Sequence, residues 1–390
     1  MKKALSFLIF SVFIFISANA LDGFSSQLNR PENIQVLLAK NLNEALIESK
    51  GGYIIYNPKD GLKISSSFAG KRYMAKATQN GIKWGEVYPG IHQIYITPKD
   101  QNSSLLVNGI EYSGAIAVIK TKDKINIIND VDVESYLKSI LTQQFPYPLE
   151  NEVMAAIAIS ARTTAYSNVK RNKDSFWHIS AEDIGYEGSA IIQPDSHICQ
   201  AVNRTKHLIL VNSLNGENKP FAALWTENSA GKTAPFHTIF RKDYWAPKLG
   251  VEAPHAMLQR DESKWNLTIS KKELAQLLSM AQIQKIELFT DSFSGKTYAL
   301  KITDSNKSQD IDFVNFQKLI GEDKLISNDM QILMKVDNVV FTGYGKGCGV
   351  GLCLHSAKQM ALNGDNAAKI LSKFFPDTFL LNLSAMPKKI

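Results

Sequence analysis

The segment Gly343-Tyr344-Gly345-Lys346-Gly347-Cys348-Gly349-Val350-Gly351 places five glycines at strict two-residue spacing. In an extended strand alternate residues share a face, so this spacing predicts a strand with one face free of side chains. Bare backbone lets something large come close: a sugar ring, another backbone or a packed aromatic. A structural strand packed tightly against the protein is the competing reading. The spacing excludes the common nucleotide loops. A Walker loop needs Lys-Ser or Lys-Thr after its last glycine, and the dinucleotide fingerprint needs two residues between its second and third. The run Ala357 to Leu362 that follows reads as a helix, stopped at Asn363-Gly364.

The N-terminus carries the compartment signal. Met1-Lys2-Lys3 is basic, Leu5 to Ile16 is an almost unbroken apolar run, and Ser17-Ala18-Asn19-Ala20 offers the small residues a signal peptidase reads. Cleavage after Ala20, with a retained anchor as the alternative, and a secreted, periplasmic or cell-envelope location are expected, with no stable membrane span after cleavage, since a span needs about 20 apolar residues. A net charge of +7 on 390 residues is spread along the chain. It suits anionic wall or membrane material and is too mild to argue nucleic-acid binding. The cysteines Cys199, Cys348 and Cys353 form no disulfide framework, although the last two are close enough in sequence to pair. Cys353 with His355 lacks the second ligand pair zinc needs, and Cys348 with His355 is a thin nucleophile pair. No metal and no cofactor is expected.

Along the chain, Ile34 to Ile47 reads as a short helix, with Leu37, Leu38, Leu42 and Leu46 near helical spacing. Short β-type runs separated by turn residues fill 52–128. Asp132 to Leu141 reads as a helix broken by Pro146 and Pro148. A second helix spans about Leu149 to Asn168, apolar or small almost all round and therefore buried, so Arg162 within it needs a partner. Further on, Leu208 to Asn212, Phe221 to Trp225, Ile286 to Asp291, Thr297 to Thr303 and Val339 to Phe341 read as strands. Lys271 to Met280 and Ala367 to Phe375 read as helices, the latter capped at Asp365. The expected class is α+β, mixed strand groups with embedded buried helices. The expected organisation is a signal peptide at 1–20, a strand-rich part at 21–128 and a second part at 129–390, continuous with the first in a single unit.

Several blocks resemble the stage II sporulation protein D and amidase-enhancer LytB (SpoIID/LytB) family. Asp132 to Leu137 is similar to its acidic-Tyr-Leu helix entry, and Gln144-Phe145-Pro146 to its Glu-Met-Pro. Ala155 to Thr163 is similar to its Ala-rich helix ending in Ala-Arg-Thr. Tyr186-Glu187-Gly188 matches a later Tyr-x-Gly, Ser229 to Thr233 a small-residue turn, and Ser294-Gly295-Lys296 and Phe316 to Gly321 its middle section more loosely. The glycine ladder matches Gly-x-Gly-Trp-Gly-His-Gly-Val-Gly. The resemblance implies lytic transglycosylase chemistry on peptidoglycan strands stripped of their stem peptides. In that chemistry one carboxylic acid protonates the leaving oxygen and then helps the sugar's own 6-hydroxyl attack the anomeric carbon.

This chain departs from the pattern where chemistry would sit. The acid's position is Gln144, and an amide is no general acid. The ladder's Trp and His positions are Lys346 and Cys348, and Cys353-Leu354 replaces Ser-Gln. The zinc-binding residues of some members have no match around Trp177 to Glu187. Glu227, and less so Glu150, are candidate substitutes. The candidate glycan contacts are Tyr186, Ser229, Gly231, Lys346, Gly347, Cys348 and Gly349. The implied function is binding and remodelling of peptidoglycan glycan strands. The alternative is an inactive binding or amidase-enhancing protein, with a cell-wall amidase or division proteins as partners.

Overall fold

The computed structural model describes residues 33–385 apart from 190, 215–216, 242 and 244. The signal-peptide expectation at 1–20 lies outside the described residues. No helix among the described residues is long and apolar enough to cross a membrane. The chain is α+β, as its patterning predicts. It forms two compact units that interleave in sequence, the first from residues 33–146 and 168–199 and the second from 147–167 and 200–385.

The first unit is two sheets. One has seven strands in the order Ile179–Ser180, Asn33–Leu42, Lys124–Asp132, Ala115–Thr121, Gln93–Pro98, Tyr53–Tyr56 and Lys63–Ser67. Its neighbours run antiparallel except for the short parallel pair between Ile179–Ser180 and Asn33–Leu42. The other has six strands, Ile110–Tyr112, Ser104–Val107, Glu44–Lys50, Lys71–Thr78, Gly81–Trp84 and Glu86–Pro89. Strand Lys71–Thr78 lies against Ala115–Thr121 and Lys124–Asp132 of the first sheet. Ile34, Val36, Ile47, Ile94, Ile116 and Ile127 are fully buried; Glu44–Lys50 shows the period-two pattern of a strand with one face in the core, whereas Ala115–Thr121 and Lys124–Asp132 are buried on both faces.

The expected helix over Ile34 to Ile47 is therefore two strands. The register of Asn33–Leu42 against Lys124–Asp132 shifts after Leu37 and again after Ala39, and Asn41 takes φ 56°. Each irregularity inserts a residue and moves the apolar phase by one. Apolar residues on both sides of each bulge, Leu37, Leu38 and Leu42, therefore depart from strict alternation although the backbone is extended, and Leu46 belongs to the next strand, Glu44–Lys50.

The helix Val133–Gln144 leaves the central strand directly. Asp132 caps it by accepting from the Ser135 N–H at 3.0 Å, and Glu134 sits in its first turn. Its buried face, Tyr136, Leu137, Ile140 and Leu141, packs on the seven-stranded sheet. The Phe145 N–H closes the helix on the Leu141 carbonyl, and Pro146 prevents its continuation.

The second unit is built on the long helix Asn151–Arg171, buried on all sides from Val153 to Thr163. Arg162, fully buried, donates to the Val202 and Leu208 carbonyls at 3.0 and 3.2 Å and to Thr205 Oγ1 at 3.3 Å. Thr163 Oγ1 accepts from the Leu210 N–H at 2.8 Å. A charge that could not be buried alone thus fixes the helix to the segment 202–210. Two three-stranded sheets, Lys264–Ser270 with Asn338–Tyr344 and Asp329–Met334, and Ile283–Thr290 with Thr297–Asp304 and Ser308–Asp312, enclose a core of Leu274, Leu300, Phe313, Phe316 and Phe341. The strand expected over Phe221 to Trp225 narrows to Trp225–Thr226, which pairs in parallel with Leu352–Cys353. The final helix, Ala367–Phe374, is capped by Asn366 rather than Asp365.

Candidate functional site

The glycine ladder leaves the strand at Tyr344. Gly345, Gly347, Gly349 and Gly351 all take positive φ, at 79°, 102°, 65° and 74°, so the expected extended strand is an irregular segment, left-handed at alternate positions, that makes only isolated bridges at Lys346, Gly347 and Val350. L side chains rarely adopt that conformation. The space beside these glycines is filled by the unit's own atoms. A Cβ at Gly345 would lie 2.4 Å from the Asn228 carbonyl oxygen, at Gly347 2.6 Å from Thr226 Oγ1, and at Gly351 2.1 Å from the Leu224 carbonyl oxygen. Gly345 and Gly351 are close approaches of one backbone to another, and Gly347 and Gly349 are close approaches to side chains, Thr226 at the first and Asn328 and Lys296 at the second.

The partner in those approaches is the small-residue turn that sequence reasoning singled out. Asn228 and Lys346 exchange backbone hydrogen bonds at 3.0 and 2.8 Å. Thr226 Oγ1 donates to the Lys346 carbonyl at 2.9 Å and accepts from the Gly349 N–H at 3.3 Å. The Ala234 N–H reaches the Gly349 carbonyl at 2.8 Å, and the Ser229 N–H points at Cys353 Sγ at 3.4 Å. The structure thus brings Glu227, Ser229, Gly231, Lys346, Gly347, Cys348 and Gly349 into one assembly.

These residues divide by exposure. Ser229 and Gly231 are buried, and Gly231, at φ 115°, faces Met257. Glu227 and Lys346 stand outside, joined by an ion pair of 2.8 Å with both side chains about 60% exposed, and such a pair adds little stability. Cys348 is partly exposed as a residue, while burial of its thiol pushes the thiol up from its ordinary value, which leaves little thiolate at neutral pH. His355 Nε2 is engaged with Gln259 Oε1, and its backbone N–H with the Glu227 carbonyl. All three cysteines are free, and no group of metal-ligating side chains occurs among the described residues. Glu150 lies 3.6 Å from Lys358 Nζ.

Beneath the turn sits a charge cluster built around a buried lysine, which motif reading did not weigh. Lys296, 1% exposed, donates to the Ser229 carbonyl at 2.6 Å and to Asp329 Oδ2 at 2.7 Å. Arg260 grips the same carboxylate with two bonds of 2.8 Å, donates to the Ala230 carbonyl at 2.5 Å and stacks on Tyr344. Burial lowers the Lys296 ammonium from its ordinary value, and Asp329 opposes that shift. Two of the turn's carbonyls are therefore held by cations, which fixes the turn against the ladder. The signal in the sequence was Lys296 within Ser294-Gly295-Lys296. Nothing in the spacing pointed to Arg260 or Asp329.

The other two predicted site residues belong to the first unit. Gln144 is exposed in the last turn of its helix. Tyr186 is 5% exposed, lies 5.8 Å centroid to centroid from both Tyr112 and Tyr136, and donates to Asn129 Oδ1 at 2.6 Å. Its ring is part of the core there, and burial pushes its phenol well above the ordinary range.

A model of the stage II sporulation protein family SpoIID matches residues 121–212, the stretch that holds Asp132, Gln144, the buried helix and Tyr186. An uncharacterized protein of Chlamydia pneumoniae is 35% identical over 215 residues, 54% of this chain and 78% of that protein. Another, of Chlamydia muridarum, is 34% identical over 193 residues, 49% and 67% of the two chains. One of Brachyspira hyodysenteriae is 27% identical over 356 residues, 88% and 91% of the two chains. The helix entry at Asp132, the break at Pro146 and the Arg162 anchor all fall inside the matched stretch, and the chain belongs to the SpoIID family of stage II sporulation proteins.

Proposed function

We propose that this chain acts at the cell wall by binding peptidoglycan glycan strands and taking part in their remodelling, and that Gln144 does not serve as an acid there. The family match supports the cell-wall role. The finer reading is carried by Gln144, which stands where the resembling enzymes hold their acid, at the break between the capped helix and the buried one. A carboxamide has no proton to give at neutral pH. The basic, apolar start of the chain supports placing it in the envelope or outside the cell.

Gln144 also favours a second reading, an inactive glycan-binding protein that enhances an amidase. Purified chain incubated with stem-peptide-free strands separates the two. Sedimentation with the strands and 1,6-anhydro ends by mass spectrometry support remodelling, and loss of those ends in Glu227→Gln assigns the chemistry to Glu227. Sedimentation without new ends supports the inactive binder. Absence of both overturns the proposal.

A further inference from the structure

Within the first unit, one face of the seven-stranded sheet carries a cavity of about 410 Å³, lined by neither Gln144 nor Tyr186. Its floor is short because Ala117 faces the opening between Ile119 and Ile128. A small residue flanked by larger ones on neighbouring strands leaves a depression in the sheet surface. Around that apolar floor stand Asp130 and Tyr95, both more than nine-tenths buried, and Gln93, half-buried at the edge. The segment after the long helix closes the other side with Lys173, Phe176 and His178.

The polar groups are mixed in kind. Asp130 Oδ1 accepts from Asn33 Nδ2 at 2.6 Å, and burial keeps its carboxyl above the ordinary value. The Tyr95 hydroxyl is buried against that carboxyl and hydrogen-bonds with it. His178 Nδ1 accepts from the Gln35 N–H at 3.0 Å, so the neutral ring presents its Nε2 as a donor. Gln93 supplies both donor and acceptor, and Lys173 a donor. Phe176, 58% exposed, offers a ring face at the rim.

We infer that this cavity binds a single sugar ring. Interleaved donors and acceptors suit vicinal hydroxyls, each of which is both. The apolar floor and the Phe176 face suit the C–H face of a pyranose. An ammonium ligand is disfavoured by Lys173 and an anion by Asp130, which leaves a neutral polyol as the class the cavity fits. Small ligands of this size in open cavities bind in the millimolar range. The inference goes beyond the wall reading and rests on neither Gln144 nor the glycine turns. Failure of strand binding and failure of sugar binding here are therefore separate results.

The test uses the full chain and N-acetylglucosamine, with saturation-transfer NMR and calorimetric titration. Phe176→Ala and Gln93→Ala, at exposed and half-buried positions, should keep the melting temperature and weaken binding roughly two- to tenfold each, the range of one stacked ring or one hydrogen bond. Ala117→Leu, which fills the floor, should abolish transfer. Its melting curve is read alongside, and should it unfold, the two rim variants decide. Ethanolamine serves as the cationic control and should show no transfer. No transfer from N-acetylglucosamine to the unmodified chain, transfer undiminished in both rim variants, or stronger binding of ethanolamine would each overturn the assignment.

Discussion

Lys296 Nζ lies 2.7 Å from Asp329 Oδ2 with its side chain 1% exposed, and the same ammonium holds the Ser229 carbonyl. One buried cation thus ties two otherwise separate segments, the turn at Ser229 and the strand start at Asp329. Lys296→Met should destabilise the chain by about 2–4 kcal/mol, less than the full loss for an isolated pair because Arg260 still grips Asp329. Urea unfolding at neutral pH measures it. A loss below about 0.5 kcal/mol, the scale of an ordinary surface change, would show the cluster to be dispensable.

The glycine turns separate backbone strain from crowding. Gly364 takes φ 88° with open space for 4 Å around the point a Cβ would occupy, whereas Gly347 takes φ 102° with Thr226 Oγ1 only 2.6 Å from that point. Gly364→Ala should cost about 1–2 kcal/mol for the left-handed backbone alone. Gly347→Ala should cost at least about 3 kcal/mol because crowding adds to it. Equal losses in thermal or urea unfolding would mean that the contact with Thr226 does not constrain the fold.

Acid should affect Asp130 and Glu152 oppositely. Burial raises the Asp130 carboxyl above its ordinary 3.8, so the folded chain holds that proton more tightly than the unfolded chain does. Its ionisation opposes folding as pH rises from 3.8 through the folded value, and acidification relieves the cost. Asp130→Asn should raise the melting temperature at neutral pH, with the gain shrinking as pH falls. The Ala367 N–H, and then Arg204, hold Glu152 below its ordinary 4.5, so its contribution is present above that value and is lost as pH falls through the folded one. Glu152→Gln should therefore be destabilised at neutral pH and converge with the unmodified chain in acid. Melting curves across that range check both signs.

Gln144 is exposed at a helix end, so Gln144→Glu should fold as the unmodified chain does. If the surroundings already seat a glycan, the restored acid should raise release of 1,6-anhydro ends by about 10²–10⁴-fold. An unchanged rate in a variant that still sediments with the strands would mean the acid was not the missing part.

Much of the helical skeleton was legible because its signals are local. Asp132 caps, Pro146 stops, and the all-round apolar run from Val153 announces burial and the need for an Arg162 partner. The strand Asn33–Leu42 was misread because its bulges, set by pairing with the distant strand Lys124–Asp132, displaced the apolar phase. At the candidate site the turn and the ladder were legible as partners, since both are rich in small residues. The left-handed backbone of the ladder was not, because alternating glycines suit an extended strand equally well. Arg260 and Asp329 escaped notice for a similar reason. They meet only through tertiary folding, and each alone resembles a surface charge.

Along 345–351 the odd positions are crossing points where other atoms of the unit pass too closely for any side chain, while Lys346, Cys348 and Val350 alternate between them. The segment therefore carries two sets of constraint, one at the crossings and one at the residues in between. Lys346 and Cys348, the very positions that depart from the family's Trp and His, lie in the second. A chain laced in this way is free to alter what it does at the exposed Lys346 without disturbing how it is held together.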